Sequence, residues 1–412
     1  MSALSKKMSD ERKKEIREEV LNEIPAGIEI SDSELAGLIE RRIELAAERE
    51  YIRLEEKKFL RHVIFNSIRK LDVLQDILED EDVTEIMVNG PNHIFVEREG
   101  RLIQTDIKFE HQERLEDIAQ QIASAGNRIV NESNPILDAR LEDGSRVNIV
   151  VPPIAIEGPV ITIRKFPKEA MTMKNLIQMG AITEEVEEFL RKLVAAKYNI
   201  FISGGTGAGK TTFLNILSNF IPHNERVITI EDSAELQIQN IDNLVRLEAR
   251  NANVEGKNEV TIRNLVKSAL RMRPDRIIVG EIRDSAAIDL LTAMNTGHDG
   301  SLSTGHANSP GDMLNRMETL VLMGLDIPLA AIRQQIASGI DIIVHLGRLR
   351  DKSRKVLEVT EVGEVSEGKI ELFPIFKFRE TGEEKGQVIG KLQPTGRTLK
   401  AVGKCQRAGV KL

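Results

Sequence analysis

The chain has no tryptophan, a single cysteine and only 3% aromatic residues in 412. One thiol, Cys405, cannot close an internal disulfide, and no cysteine pair exists to hold zinc. A reducing, cytoplasmic location fits. Scarce aromatic rings leave few platforms on which bases could stack. No run reaches the ~18 apolar residues of a membrane-spanning helix. Met1-Ser2-Ala3-Leu4-Ser5-Lys6-Lys7 runs into charge where a signal peptide would carry its apolar stretch. Basic residues are outnumbered, 57 Lys and Arg against 65 Asp and Glu, for a net charge of -8. That balance argues against a chain built to grip nucleic acid non-specifically. What remains is an ordinary globular composition, 41% hydrophobic and 30% charged, with a length that suggests two or three domains at roughly 150 residues each.

Residues 1–70 read as a charged helical bundle. Leu35, Leu38, Ile39, Ile43, Ala46, Ala47, Tyr51 and Leu54 recur at helical spacing and predict one long helix with a single apolar stripe. Ser31 or Asp32 would cap it. Such a helix packs in a bundle or against a partner. Residues 71–165 read as a mixed α/β domain. Strands at 85–89 and 93–98 are joined by Gly90-Pro91-Asn92. A helix follows over 113–125, then a turn at Asp143-Gly144-Ser145, and strands at 146–151 and 160–164. Residues 166–183, with Pro167, read as a linker. Over 184–347 strands alternate with helices, the pattern of a parallel sheet covered on both faces. The candidate strands are 199–203, 227–230, 276–279, 301–304 and 340–344. Residues 348–412 read as a β-rich segment with strands over 355–362 and 369–378.

Gly204-Gly205-Thr206-Gly207-Ala208-Gly209-Lys210-Thr211 matches the phosphate-loop pattern. An apolar strand precedes it and a helix from Thr212 to Phe220 follows, which is the context the motif requires. Glycines let successive N–H groups turn toward phosphate, and the helix N-terminus adds partial positive charge. These residues, with Thr212, are expected to bind ATP; Lys210 reaches the β and γ phosphates and the Thr211 hydroxyl ligates Mg²⁺. Hydrolysis to ADP and phosphate further needs a carboxylate near the γ phosphate. Two candidates end predicted strands, where open α/β sheets place ligands. These are Glu231-Asp232 and Glu281. Gly280 stands where a generic Walker B strand carries aspartate. Glu281 would position water, and Glu231 or Asp232 would support Mg²⁺. His298 and His306 flank another predicted strand, and either could donate to the γ phosphate.

With these motifs the chain resembles the type II/type IV secretion ATPases. Besides the phosphate loop, residues 228–236 resemble their aspartate box, residues 270–283 their atypical Walker B, in which glycine at position 280 is usual, and Thr296 to Asn308 their histidine box. Residues 83–92, 96–98 and 138–148 narrow the likeness to the CpaF (TadA-type) ATPases of tight-adherence Flp pili. The resemblance spans roughly residues 75 to 345. It implies a RecA-like P-loop ATPase domain preceded by a mixed α/β N-terminal domain and an N-terminal helical bundle. It further implies a homo-hexameric motor whose N-terminal domains supply arginines to the phosphates, with Arg140, Arg146 and Arg164 at the matching positions. Inner-membrane pilus platform proteins would be its partners. The expected location is the cytoplasm, at the inner face of the cytoplasmic membrane, reached through those partners and without nucleic acid. A VirB11-like conjugative ATPase, a RecA-like nucleic-acid translocase and a non-hydrolysing nucleotide-gated scaffold are the alternatives.

Overall fold

The computed structural model describes residues 3–25, 30–98, 100–166, 171–250, 252 and 257–412. Met1, Ser2 and Pro167, on which parts of the sequence reading fall, lie outside these. No helix among the described residues is long and apolar enough to cross a membrane. The chain forms two compact units, Met1–Lys168 and Glu169–Leu412.

The first unit begins with three helices, α1 (Ala3–Glu23), α2 (Asp32–Arg49) and α3 (Leu54–Arg69). Ser31 caps α2 in a reciprocal capping box: its hydroxyl accepts the Glu34 N–H and the Glu34 carboxylate accepts the Ser31 N–H. Leu35, Ile39 and Ile43 of α2 close a core with Ile16 and Val20 of α1 and Leu60 and Ile64 of α3. The single long helix expected from the apolar stripe is two helices. The chain reverses after Arg49, leaving Tyr51 85% and Leu54 68% exposed. A reversal lets the stripe of α2 be covered by α3, which one straight helix could not do.

The unit continues through α4 (Leu74–Glu79), β1 (Val83–Asn89), β2 (His93–Arg98), β3 (Arg101–Gln104), α5 (Gln112–Ala125), β4 (Ile136–Arg140), β5 (Arg146–Val150) and β6 (Val160–Arg164). Among the described residues the strands form one antiparallel sheet ordered β3-β2-β1-β6-β5-β4. Alternate residues such as Ile86, Val88, Ile94, Ile161 and Ile163 share a core with Leu115, Ile118 and Ile122 of α5. Arg114 of α5 donates to Asp72 at 2.6 Å, and Glu110 pairs with Lys13 and Arg17 of α1, so the bundle is tied to the sheet layer.

The second unit runs α6 (Met173–Gln178), α7 (Glu184–Ala195), β7 (Ile200–Gly204), α8 (Lys210–Ser218), β8 (Arg226–Glu231), β9 (Asn243–Glu248), α9 (Ile262–Ala269), β10 (Arg276–Val279), α10 (Ala286–Asn295), β11 (Leu302–His306), α11 (Pro310–Leu322), α12 (Leu329–Gly339), β12 (Ile342–Arg348), β13 (Arg354–Ser366), β14 (Lys369–Glu384), β15 (Gln387–Pro394) and α13 (Gly403–Ala408). The described strands make one sheet ordered β15-β14-β13-β12-β7-β11-β10-β8-β9. From β12 to β9 neighbours are parallel; β12 to β15 are antiparallel. One core gathers Leu190, Leu193, Phe213 and Leu217 from α7 and α8; the other gathers Val266, Leu290, Met317 and Ile336 from α9 to α12. Helices therefore cover both faces, as the alternating pattern requires. The fold class is α/β, a RecA-like P-loop ATPase domain preceded by a mixed α/β domain and a helical bundle.

Two stretches read differently in three dimensions. Within the segment read as linker, residues 173–178 form α6, capped by Thr172, and residues 171–183 bury Met173 and Ile182 in the core of the second unit. Residues 348–412 extend the same sheet, and their tail returns to it: Tyr198 donates to the Ala401 carbonyl, and Lys404 pairs with Asp299 and Asp341 at 2.7 and 2.6 Å.

Candidate active site

The phosphate loop leaves the C-terminal end of β7, a wholly buried strand flanked on both sides by parallel neighbours. Strand order reverses there, which opens a crevice for a ligand. Gly209, at φ 90°, starts α8 from a left-handed conformation. Gly204 cannot carry a side chain, because a Cβ there would stand 2.5 Å from the Leu346 carbonyl oxygen. Gly205, Thr206 and Gly207 form an exposed tip. Lys210 is folded into the loop: its ammonium donates to Gly205 O at 3.1 Å and to His306 Nδ1 at 3.1 Å. Burial pushes its pKa down, with Arg283 and Arg316 acting in the same direction and Glu281 opposing.

β10, one strand away from β7 across β11, carries Glu281 just past its end. The side chain is 15% exposed and held from both oxygens. His306 Nε2 lies 2.9 Å from Oε1, and Arg283 donates to Oε2 at 2.6 Å. The histidine contact is not aligned as a hydrogen bond, so Oε1 is buried without a hydrogen-bond partner. Arg283 also lies 3.9 Å from the exposed Asp232. A continuous chain of polar groups thus runs from Lys210 through His306 and Glu281 to Arg283.

Glu231, at the end of β8, is 3% exposed. Its Oε2 accepts the N–H groups of Glu235 and Leu236 at 2.8 and 3.0 Å, while Oε1 is buried without a hydrogen-bond partner. Burial raises its pKa, against those amides and Arg246. Glu231 accounts for Gly280. A Cβ at position 280 would stand 3.0 Å from Glu231 Cγ, so the carboxylate of the neighbouring strand fills the space a Walker B aspartate would take.

The two histidines part company. His306 ends β11 in register with Gly204. His298 precedes β11, near the end of the sheet where Gly300 and Ser301 donate to the Asn199 side chain before β7 begins. Within this chain it is not brought to the phosphate loop, because a parallel strand carries its two flanks to opposite sheet edges. Among the described residues no cluster of three His, Cys, Asp or Glu side chains could hold a metal alone. The Thr211 hydroxyl is left uncommitted at the start of α8, and the orphaned Glu231 Oε1 is a second oxygen on the same sheet edge. This donor set of hard oxygens fits Mg²⁺ shared with phosphate.

In the first unit Arg140, Arg146 and Arg164 fall into one cross-strand row: Arg140 pairs with Arg146, Arg146 with Arg164, and Arg164 with Glu85. Directly opposite residues share a sheet face, and like charges so placed repel. Arg164 lies 3.7 Å from Glu85 and is otherwise largely exposed.

Two residues near the loop were given no role by the sequence reading. Arg283 follows Glu281 by two positions in extended chain, a spacing that places both on one side. Arg354, from β13, donates to Gly207 O at 2.8 Å; nothing local marks it, because antiparallel pairing brings it from 147 residues downstream.

Residues 69–395 match the family described as type II/IV secretion system protein. The conjugal transfer protein TrbB of Rhizobium radiobacter is 33% identical over 304 residues, covering 72% of this chain and 90% of that protein. The type IV secretion system protein VirB11 of Bartonella henselae is 32% identical over 335 residues, covering 72% and 92%. The crystal structure of the pilus retraction motor PilT with bound ADP has the same fold, with a TM-score of 0.50 at 16% identity, covering 82% and 87%. The chain belongs to the type II/IV secretion system ATPase family.

Proposed function

We propose that the chain is an ATP-hydrolysing motor that works as a homo-hexamer at the inner membrane and powers assembly of a Tad/Flp-type pilus, with retraction within its reach. The observation that carries the motor reading is the chain of polar groups from Lys210 to Arg283, which joins the phosphate loop to a carboxylate. In this reading ATP binds on the loop amides of residues 204–212, and Lys210 exchanges Gly205 O and His306 for β and γ phosphate oxygens. Glu281 accepts a proton from the attacking water, the bond between the γ phosphorus and the bridging oxygen breaks, and the proton passes to the released phosphate. Thr211, with Glu231 behind it, would hold Mg²⁺, whose charge offsets that of the phosphates. Arg140, Arg146 and Arg164 are the cations proposed to reach the phosphates from the N-terminal unit and to link hydrolysis to movement.

The pilus assignment rests on the sequence motifs of residues 83–98 and 138–148, and platform proteins of the membrane are its proposed partners. The likeness to TrbB and VirB11 favours a second reading, an ATPase of a conjugative or type IV secretion machine. Sedimentation of the purified chain with ATP and Mg²⁺ tests the assembly: a six-fold particle with phosphate release that rises more steeply than concentration supports the motor, and turnover by a persistent monomer contradicts it. Deleting the gene separates the two machines, since loss of pili with intact secretion and DNA transfer supports the first and the reverse supports the second.

A further inference from the structure

The first three residues of β13 touch two places at once. Arg354 donates to Gly207 O at the tip of the phosphate loop, and its Cδ sits beside Gly209, where an added Cβ would meet it at 3.5 Å. Lys355 donates its ammonium to the carbonyls of Met179 and Gly180 at 3.0 and 2.9 Å. Val356 gives its backbone N–H to Ala181 O at 2.9 Å. Residues 179–181 close α6, the first element after the connection from the N-terminal unit. A second line runs beneath the first. Gly204 at the base of the loop pairs with Leu346 of β12, and Leu346 pairs with Val356. The loop base, two further strands and Ala181 therefore lie on one row of paired backbone, while the loop tip is tied to the same strand by a charge-assisted bond.

We propose that Arg354, Lys355 and Val356 form a relay that couples occupancy of the phosphate loop to residues 179–181, and so to the segment by which the second unit is joined to the first. Seating a phosphate requires Lys210 to leave Gly205 O and the loop to turn its amides toward the anion. The Gly207 carbonyl moves with that turn and carries Arg354. Arg354, Lys355 and Val356 pair with Arg348, Gly347 and Leu346 of β12, while the pairing of β13 to β14 begins only at Glu358, so this end of β13 moves with the loop and with β12. Three hydrogen bonds then deliver the shift to the end of α6. Arg354 acts here as a positioning residue, on the loop and not on the nucleotide. The relay rests on the nucleotide-binding part of the proposed function, and names the path by which a motor would transmit its stroke.

Hydrogen–deuterium exchange on the full-length chain, with and without a non-hydrolysable ATP analogue and Mg²⁺, is the test. In the unmodified protein, exchange is expected to slow in residues 204–212 and to change together with it in residues 176–182. In Lys355→Met the loop stays protected and KM for ATP stays within about twofold, whereas the response of 176–182 falls to roughly a fifth or less. Arg354→Ala loses the same response, and Arg354→Lys, which can still donate to Gly207 O, recovers part of it. A loop that responds while 176–182 stays indifferent in the unmodified protein overturns the relay, and that arm decides even if a variant fails to fold. Equal responses of 176–182 in the unmodified, Lys355→Met and Arg354→Ala proteins overturn it as well. Linked protection without any phosphate release would remove the motor and leave the relay; protection of neither segment would remove both.

Discussion

Replacing Gly280 with the aspartate of a generic Walker B strand should damage this protein. A Cβ at position 280 stands 3.0 Å from Glu231 Cγ and 3.6 Å from its Cβ. Glu231 cannot step aside, since it is buried and two backbone amides grip its Oε2. Overpacking of this kind costs about 1–3 kcal/mol. Two carboxylates ~5 Å apart at an effective dielectric of ~20 add about 3 kcal/mol of repulsion, part of which protonation relieves. Burial already raises the pKa of Glu231, so the proton is readily taken up. A net loss of about 3–4 kcal/mol follows, or roughly 10 °C in Tm for a unit of this size. Gly280→Ala meets only the steric part, about 1 kcal/mol. Glu231→Ala removes both the clash and the like charge, so Gly280→Asp should cost far less in that background. Urea and thermal denaturation of the two single variants and the double variant close the cycle. A Gly280→Asp protein within about 0.5 kcal/mol of the parent, or strictly additive effects, would refute the steric account.

Three further outcomes follow from the geometry. His306 has its pKa lowered, by burial first and by Lys210 and two arginines beyond it, against Glu281; as pH falls below the ordinary 6.5 the unfolded chain takes the proton first, so stability and turnover decline toward the depressed folded value. His306→Gln keeps an acceptor for Lys210 but cannot titrate, and its acid limb below the ordinary histidine pKa should flatten; coincident pH–rate profiles would contradict this. Arg276 is fully buried and holds both Glu225 oxygens at 2.7 and 3.0 Å; Arg276→Ala should cost about 3–5 kcal/mol in urea denaturation, and a loss below about 1 kcal/mol would show that Lys197, 3.5 Å from Glu225, suffices as partner. Ser31→Ala removes the cap of α2 and should cost about 1 kcal/mol in the first unit, with ATP turnover unchanged; a fall in turnover would mean the bundle does more than fold.

Where burial is two-sided the sequence was legible. The runs Ile200-Phe201-Ile202 and Ile277-Ile278-Val279 lie at the centre of the parallel sheet and read as strands without ambiguity. The strands that escaped are edges: β3, whose residues are all exposed, β4, β9 and β15. An edge strand has one paired side, so its apolar pattern is weak. The stripe over α2 was sound as far as Ala47 and failed at Tyr51, because helical spacing does not say where a chain turns back. Motif residues came together where strand order places them, as Lys210, Glu281 and His306 did. His298 shares a box with His306 in sequence, yet a parallel strand separates their positions. The register of Arg140, Arg146 and Arg164 depends on pairings between strands that no local pattern specifies, and Arg354 reaches Gly207 only through an antiparallel extension.

The central claim is that Glu281 turns a bound nucleotide into a cleaved one. Phosphate release and ATP binding should be measured side by side for the unmodified chain, Glu281→Gln and Lys210→Ala. The account predicts that Glu281→Gln still binds ATP while its turnover falls about 10²–10⁴-fold, and that Lys210→Ala loses binding and turnover together. Phosphate release by Glu281→Gln at the rate of the unmodified chain would contradict it.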